Sequence, residues 1–140
     1  MIENSPTALL PVLHYDDTRA AVRFLVDVLG FQEALVATDD EGDVVHAELA
    51  WPGGGALVLG GTKHVDSVHG GMRAGSNAIY LVSDEVDAVH QRVLAAGGDV
   101  LEPPHHAKFG SGADSYTLTV RDPEGNLWTF GTYRSAAGGS

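Results

Sequence analysis

Residues 8–31 read ALLPVLHYDDTRAAVRFLVDVLGF, and a change of period inside this stretch sets the fold. ALLPVLHY is a short apolar run rich in strand formers, closed by the turn-like pair Asp16-Asp17. From Asp17 onward the period lengthens, and Ala21, Val22, Leu25, Val26, Val28 and Leu29 share one broad helical face. The Asp17 carboxylate can cap that helix, and Gly30 supplies a left-handed stop.

Working outward, FQEALVAT reads as a strand and Asp40-Glu41-Gly42-Asp43 as a hairpin turn. DVVHAELAW returns, with His46, Glu48 and Ala50 on one face and Ala47, Leu49 and Trp51 on the other. Pro52 and three glycines close it before GALVLGG, a further strand. Residues 62–75 hold no clean period and read as a connector.

The order then repeats. SNAIYLVS is a strand, and Asp84 to Ala96 a helix with Val86, Val89, Val93 and Leu94 inward. VLEPP is a brief strand, and Pro103 to Gly112 a polar loop holding His105 and His106. DSYTLTVR and NLWTFGTY are strands joined by the DPEGN turn, and residues 134–140 a flexible tail. Shifted by 67 positions, Asp17 meets Asp84, Ala21 meets Ala88, Val26 meets Val93 and Gly30 meets Gly97. At a shift of 71, Gly60 meets Gly131, which places the extra residues of the second copy in the Pro103–Gly112 loop. Internal similarity of this kind gives an α+β fold of two tandem βαβββ modules, about 8–61 and 76–133.

Composition bounds what such a protein does. The chain has 140 residues, with 19 Asp and Glu against 8 Lys and Arg, a net charge of −11. That balance argues against nucleic acid, whose phosphates need a cationic face, and against an anionic membrane surface. No run approaches the ~18 apolar residues of a membrane span. The start MIENSPTALL lacks the features of a signal peptide, so a cytoplasmic location is expected. With no cysteine there is no disulfide, thiolate nucleophile or thiolate zinc site.

The βαβββ–βαβββ order, the segment VLHYDDTRAAVRFLVDVLGF, VVHAELAW and the ending VRDPEGNLWTFGTY together resemble the vicinal-oxygen-chelate superfamily. This is the glyoxalase, bleomycin-resistance and extradiol-dioxygenase group, and the resemblance spans roughly residues 8 to 133. It implies a curved mixed sheet from each module, with concave faces enclosing a cavity, and a homodimer. It also implies a metal-dependent branch beside a metal-free branch that binds small molecules.

The metal-dependent members place ligands on the first strand and on a late inner strand of each module. Carried onto this chain, those positions fall at Leu10, at Ala78 (or Asn77 in a register one residue off), at Glu48 and at Thr129. Leucine and alanine do not coordinate, threonine does so poorly, and one carboxylate is not a divalent site. No metal and no other cofactor is therefore expected.

Seven histidines raise a separate metal question. His14 shares a face with Leu10 and Val12, and His46 with Glu48, so a set of His14, His46 and Glu48 is conceivable. The plainer reading makes His46 a half-buried strand residue and His14 a strand-end polar group. His90 falls on a helix surface, His105 and His106 in a loop or flap, and His64 and His69 in the connector. Strand parity and the repeat send Leu10, Val12, His14, His46, Glu48 and Ala50 inward from the first module. From the second they send Ala78, Tyr80, Thr117, Thr119, Arg121, Leu127 and Thr129. The mixture is mostly apolar with a few polar groups, as in small-molecule pockets. Trp51, Phe109, Trp128 and Phe130 can stack a planar ligand, although core packing suits the two tryptophans better. Arg121 beside Asp122 suggests an ion pair that fixes the turn.

No GxSxG elbow or phosphate loop is present, and Asp39 to Asp43 fails the twelve-residue calcium template. Three functions fit. The first is a metal-free protein that sequesters a small organic molecule, a planar compound or antibiotic. The second is a metal-dependent lyase, isomerase or dioxygenase using Glu48 and a histidine. The third is a metal-free enzyme with Glu48 or a histidine as general base. They rank in that order.

Overall fold

The computed structural model describes residues 8–63, 66–109 and 112–134, with Phe109 as backbone only. His64, the Phe109 ring and the tail beyond Arg134 lie outside the described residues. The described chain falls into two compact units divided between Gly75 and Ser76. Each unit holds a four-stranded, open mixed sheet with a helix.

In the first unit β1 (Val12–Tyr15) leads into α1 (Thr18–Arg23) and a wider π-helical segment, Phe24–Leu29. β2 (Gln32–Thr38), β3 (Val44–Ala50) and β4 (Ala56–Gly61) follow, giving the sheet order β1-β4-β3-β2. β1 and β4 run parallel and the other neighbours antiparallel. Asp17 caps the helix as expected, its Oδ1 accepting from Ala20 N at 3.1 Å. Gly30 ends it with φ 105°, a left-handed value that favours glycine. The π winding is a departure from the expected single α-helix. Leu25 O accepts from both Gly30 N and Phe31 N, each at 3.0 Å. An apolar set at Leu25, Val28 and Leu29 suits either winding, so the sequence does not choose between them.

The second unit repeats the plan with β5 (Ala78–Val82), α2 (Val86–Ala95), β6 (Asp99–Phe109), β7 (Ala113–Arg121) and β8 (Leu127–Gly131). Its sheet order is β5-β8-β7-β6. One expectation is overturned: VLEPP and the Pro103–Gly112 loop are instead one long strand through Phe109. His105 pairs with Thr117 and His106 with Tyr116. Two register shifts, on either side of Glu102, take up the Pro103-Pro104 pair, and β6 is an edge strand of its sheet, where proline is tolerated.

Each helix covers one sheet face by alternation. Leu13, Tyr15, Ala47, Leu49, Leu57 and Leu59 are buried on the helix side of the first sheet. Leu81, Leu118, Val120, Trp128 and Phe130 are buried in the second, with Val86, Val89 and Val93 of α2. Removing an aromatic of this kind costs about 3–5 kcal/mol. Trp128 is therefore core, not a ligand platform, and its Nε1 donates to Asp122 at 3.0 Å. The second tryptophan, Trp51, packs against Phe31, with ring centroids 5.0 Å apart.

Candidate functional site

The residues that alternate away from the helices form the candidate surface of each unit. In the first sheet this face carries Val12 and His14 from β1, Val58 and Gly60 from β4, and His46, Glu48 and Ala50 from β3. Leu10 precedes β1 and is exposed.

His46 and Glu48 stand two residues apart on β3, so their side chains leave the same face. His46 Nε2 lies 2.9 Å from Glu48 Oε2, with the two side chains 43% and 44% exposed. His14 is buried, and its ring packs against His69, with centroids 5.3 Å apart at 40°. His69 belongs to a short 3-10 turn, Val68–Gly71, inside the connector. Sequence reading assigned nothing to His69, because a contact between β1 and a connector leaves no local pattern. Burial first, and the neighbouring His69 second, pushes the His14 imidazole below its usual pKa.

In the second unit the corresponding face is knit together by its own polar groups. Thr119 and Thr129 hydroxyls lie 2.8 Å apart across β7 and β8. The Tyr80 hydroxyl donates to Tyr133 O at 3.0 Å and lies 3.1 Å from Ser115 Oγ, which accepts from Tyr133 N at 3.2 Å. Thr117 is buried, and Ala78 and Leu127 pair at the start of β5 and β8. Arg121 does not fix the turn as expected. It pairs across the sheet with Asp99 at 2.9 Å.

The DPEGN turn is held by Asp122 itself. Its Oδ1 accepts from Glu124 N at 2.9 Å and Asn126 N at 3.0 Å. Asn126 Oδ1 in turn accepts from Asn77 N at 3.1 Å and Asn77 Nδ2 at 3.0 Å. This buried chain of hydrogen bonds ties the start of β5 to the last hairpin.

At the positions that the family resemblance marks for metal ligands, the residues present are poor donors for a divalent ion. Leu10 and Ala78 offer no donor atom, the Asn77 amide is bound to Asn126, and the Thr129 hydroxyl is bound to Thr119. Glu48 alone is a ligand-type residue, and its carboxylate already meets His46.

Among the described residues one other group has clustered ligand atoms, the carboxylates of Asp39, Glu41 and Asp43 at the β2–β3 hairpin. Lys63 Nζ sits among them at 3.1, 2.9 and 2.6 Å. These hydrogen bonds raise the lysine pKa and lower that of Asp39. The ammonium serves there as the cation, joining the connector to the hairpin. His90 is half-buried on α2, while His105 and His106 are exposed on β6, where His106 packs on Tyr116 with centroids 5.0 Å apart.

Two open βαβββ sheets with polar faces away from their helices define a glyoxalase-type fold. A profile of the Glyoxalase/Bleomycin resistance protein/Dioxygenase superfamily matches residues 9–130, and the chain belongs to that family. It is 30% identical to the Mycobacterium bovis protein Mb0911c over 138 residues, covering 94% of this chain and 86% of that one. It is 29% identical to TioX from Micromonospora sp. ML1, with a TM-score of 0.75 over 92% of this chain and 100% of that one. TnmS3, an antibiotic binding protein from Streptomyces sp. CB03234, shares the fold with a TM-score of 0.63 at 22% identity, over 91% of this chain and 97% of that one. Among the described residues no helix is long and apolar enough to cross a membrane.

Proposed function

We propose that this chain is a metal-free binding protein of its superfamily that sequesters a small, planar organic molecule such as an antibiotic. The observation that carries the reading is the donor set. The ligand positions taken from the family resemblance hold Leu10, Ala78 and Thr129, and Glu48, taken as the fourth, lies on β3 paired with His46, while the repeat partner of Thr129 is Val58 on β4. The ligand-facing groups would be His14, His46 and Glu48 on the first sheet and Tyr80, Thr117, Thr119, Arg121 and Thr129 on the second. Thr119 and Thr129 together still offer a hydroxyl proton and free lone pairs, since one hydroxyl bonded to another retains donor and acceptor capacity. TnmS3 is an instance of the same fold in an antibiotic-binding protein.

A second reading is favoured by the 2.9 Å contact between His46 and Glu48. A carboxylate that orients an imidazole is the supporting half of a general-base arrangement, so a metal-free enzyme using His46 is the alternative. The two readings separate on turnover. A thermal-shift screen of planar antibiotics and 2-oxoaldehyde adducts, followed by product analysis of any hit, decides between them. Recovery of the ligand unchanged supports binding, and conversion without added metal supports the enzyme.

We also propose a homodimer. Leu9 and Leu10 are exposed ahead of β1, apolar surface that a second copy would cover. Sedimentation at micromolar concentration should give twice the chain mass, and a monomer there contradicts it.

A further inference from the structure

His14 is a covered residue on a face whose other side chains are open. It lies on β1, on the side of the first sheet away from the helix. On that side Val12 is 42% exposed, and the side chains of His46 and Glu48 are 43% and 44% exposed. His14 is 7% exposed, and the His69 ring packs on it from the Val68–Gly71 turn.

That turn is bonded to itself. Gly70 N donates to Ser67 O and Met72 N to His69 O, each at 2.9 Å, and His69 N donates to Ser67 Oγ at 3.1 Å. The Arg73 guanidinium reaches Gly71 O at 3.3 Å. None of residues 66–73 is buried. Among the described residues no hydrogen bond or ion pair joins them to the sheet, and the ring contact between His69 and His14 does so instead. One pair of imidazoles therefore holds the turn on β1.

Charge sets the state of that pair. Neutral imidazoles pack as flat rings, whereas two imidazoliums at a centroid separation of 5.3 Å repel each other. Among the described residues no carboxylate bonds to either ring to relieve the repulsion. Glu48 is paired with His46, Asp16 accepts from Thr62, and Asp66 is exposed and unpaired among the described residues. Of the nearby cations, Lys63 is held by Asp39, Glu41 and Asp43, and Arg73 by Gly71. β4 brings Val58 and Gly60 to this face, and neither titrates. Burial first and His69 second hold the His14 imidazole below its ordinary pKa, so lifting the turn lets His14 take up a proton.

We propose that the Val68–Gly71 turn is an acid-released latch, closed on His14 through His69 while both rings are neutral and lifted when both are protonated. Lifting it uncovers the β1 end of the candidate surface. The latch concerns access to that surface and does not depend on what binds there.

The chain has no cysteine, so Val68→Cys, at a position 97% exposed, gives a single attachment point for a nitroxide. Paramagnetic broadening of the amides of Val12–Tyr15 and Ala56–Gly61 then reads the distance from turn to sheet. The labelled full chain is titrated from about pH 7.5 to about pH 5, a span in which histidines charge and most carboxylates stay ionised. The broadening should fall at least ~2-fold toward acid, while the amide signals of β2 and β3 stay dispersed. The step should vanish in His69→Gln and in His14→Gln, whose new side chains do not charge, and persist in His46→Gln on the same face. His69 is exposed, so His69→Gln decides the matter should His14→Gln not fold. Constant broadening across the titration overturns the latch. So does a step that survives His69→Gln, a step lost in His46→Gln, or one that comes with collapse of the β2 and β3 signals. The antibiotic screen is untouched by any of these results, so the latch and the binding-protein reading fail separately.

Discussion

Thr129 and Thr119 face each other across β8 and β7 with their hydroxyls 2.8 Å apart. A short hydroxyl pair in that position gives the second sheet hydrogen-bonding capacity without anionic charge. Under the proposed function, this face would meet an uncharged or weakly acidic organic molecule, with Leu10 and Ala78 contributing no donor side chain.

Glu48 is the residue on which binding and structural roles diverge. Its pair with His46 is nearly half exposed, and such pairs contribute about 0–1 kcal/mol to stability. Glu48→Gln keeps the shape but replaces the carboxylate that meets His46 Nε2. We expect ligand affinity to fall at least ~10-fold with little change in Tm. A large drop in Tm with unchanged affinity would make Glu48 a structural strut.

The two repeat glycines should respond oppositely to alanine. Gly131→Ala drives a methyl into the Tyr80 hydroxyl and Ser115, and overpacking of this kind costs about 1–3 kcal/mol. Gly60→Ala meets only ordinary contacts, and lowering the freedom of the unfolded chain at a compatible site stabilises by about 0.4–1 kcal/mol. Urea unfolding of both variants measures the contrast. Equal effects would mean that the Tyr80 side chain yields to the added methyl.

These contrasts show what was legible in the sequence. Strand parity put Glu48 and His46 on one face and sent Thr119 and Thr129 each inward, because a strand's period of two follows from backbone geometry alone, while the register that sets Thr119 opposite Thr129 belongs to the sheet. Asp17 and Gly30 declared the ends of the first helix through local capping chemistry. The Pro103-Pro104 pair read as a break because proline's lost donor is a local signal, whereas the edge position that tolerates it is a property of the whole sheet. His69 was silent for the same reason: its partner, His14, is far away in the chain. Gly60 and Gly131 were visible as a repeat pair, but the Tyr80 hydroxyl over one and not the other is a matter of packing.

Acid should loosen the first unit through His14. Its pKa is depressed in the folded chain by burial and by His69, so the unfolded chain takes up a proton first as pH falls. The stabilisation is complete above the ordinary histidine value of about 6.5 and is lost as pH drops through the lower folded value. Tm should therefore decline as pH falls below about 6.5 more steeply in the native chain than in His14→Gln. Parallel profiles for the two would show that His14 does not carry the effect.

The central claim is that this superfamily member works without a metal, and elemental analysis of the protein purified without chelator tests it most directly. Well under one equivalent of nickel, zinc, iron or manganese per chain is expected, with no rise in Tm when each ion is added back, since an ion bound only by the folded state would raise it. About one tightly held ion per chain, lost on changing Glu48, would contradict the account.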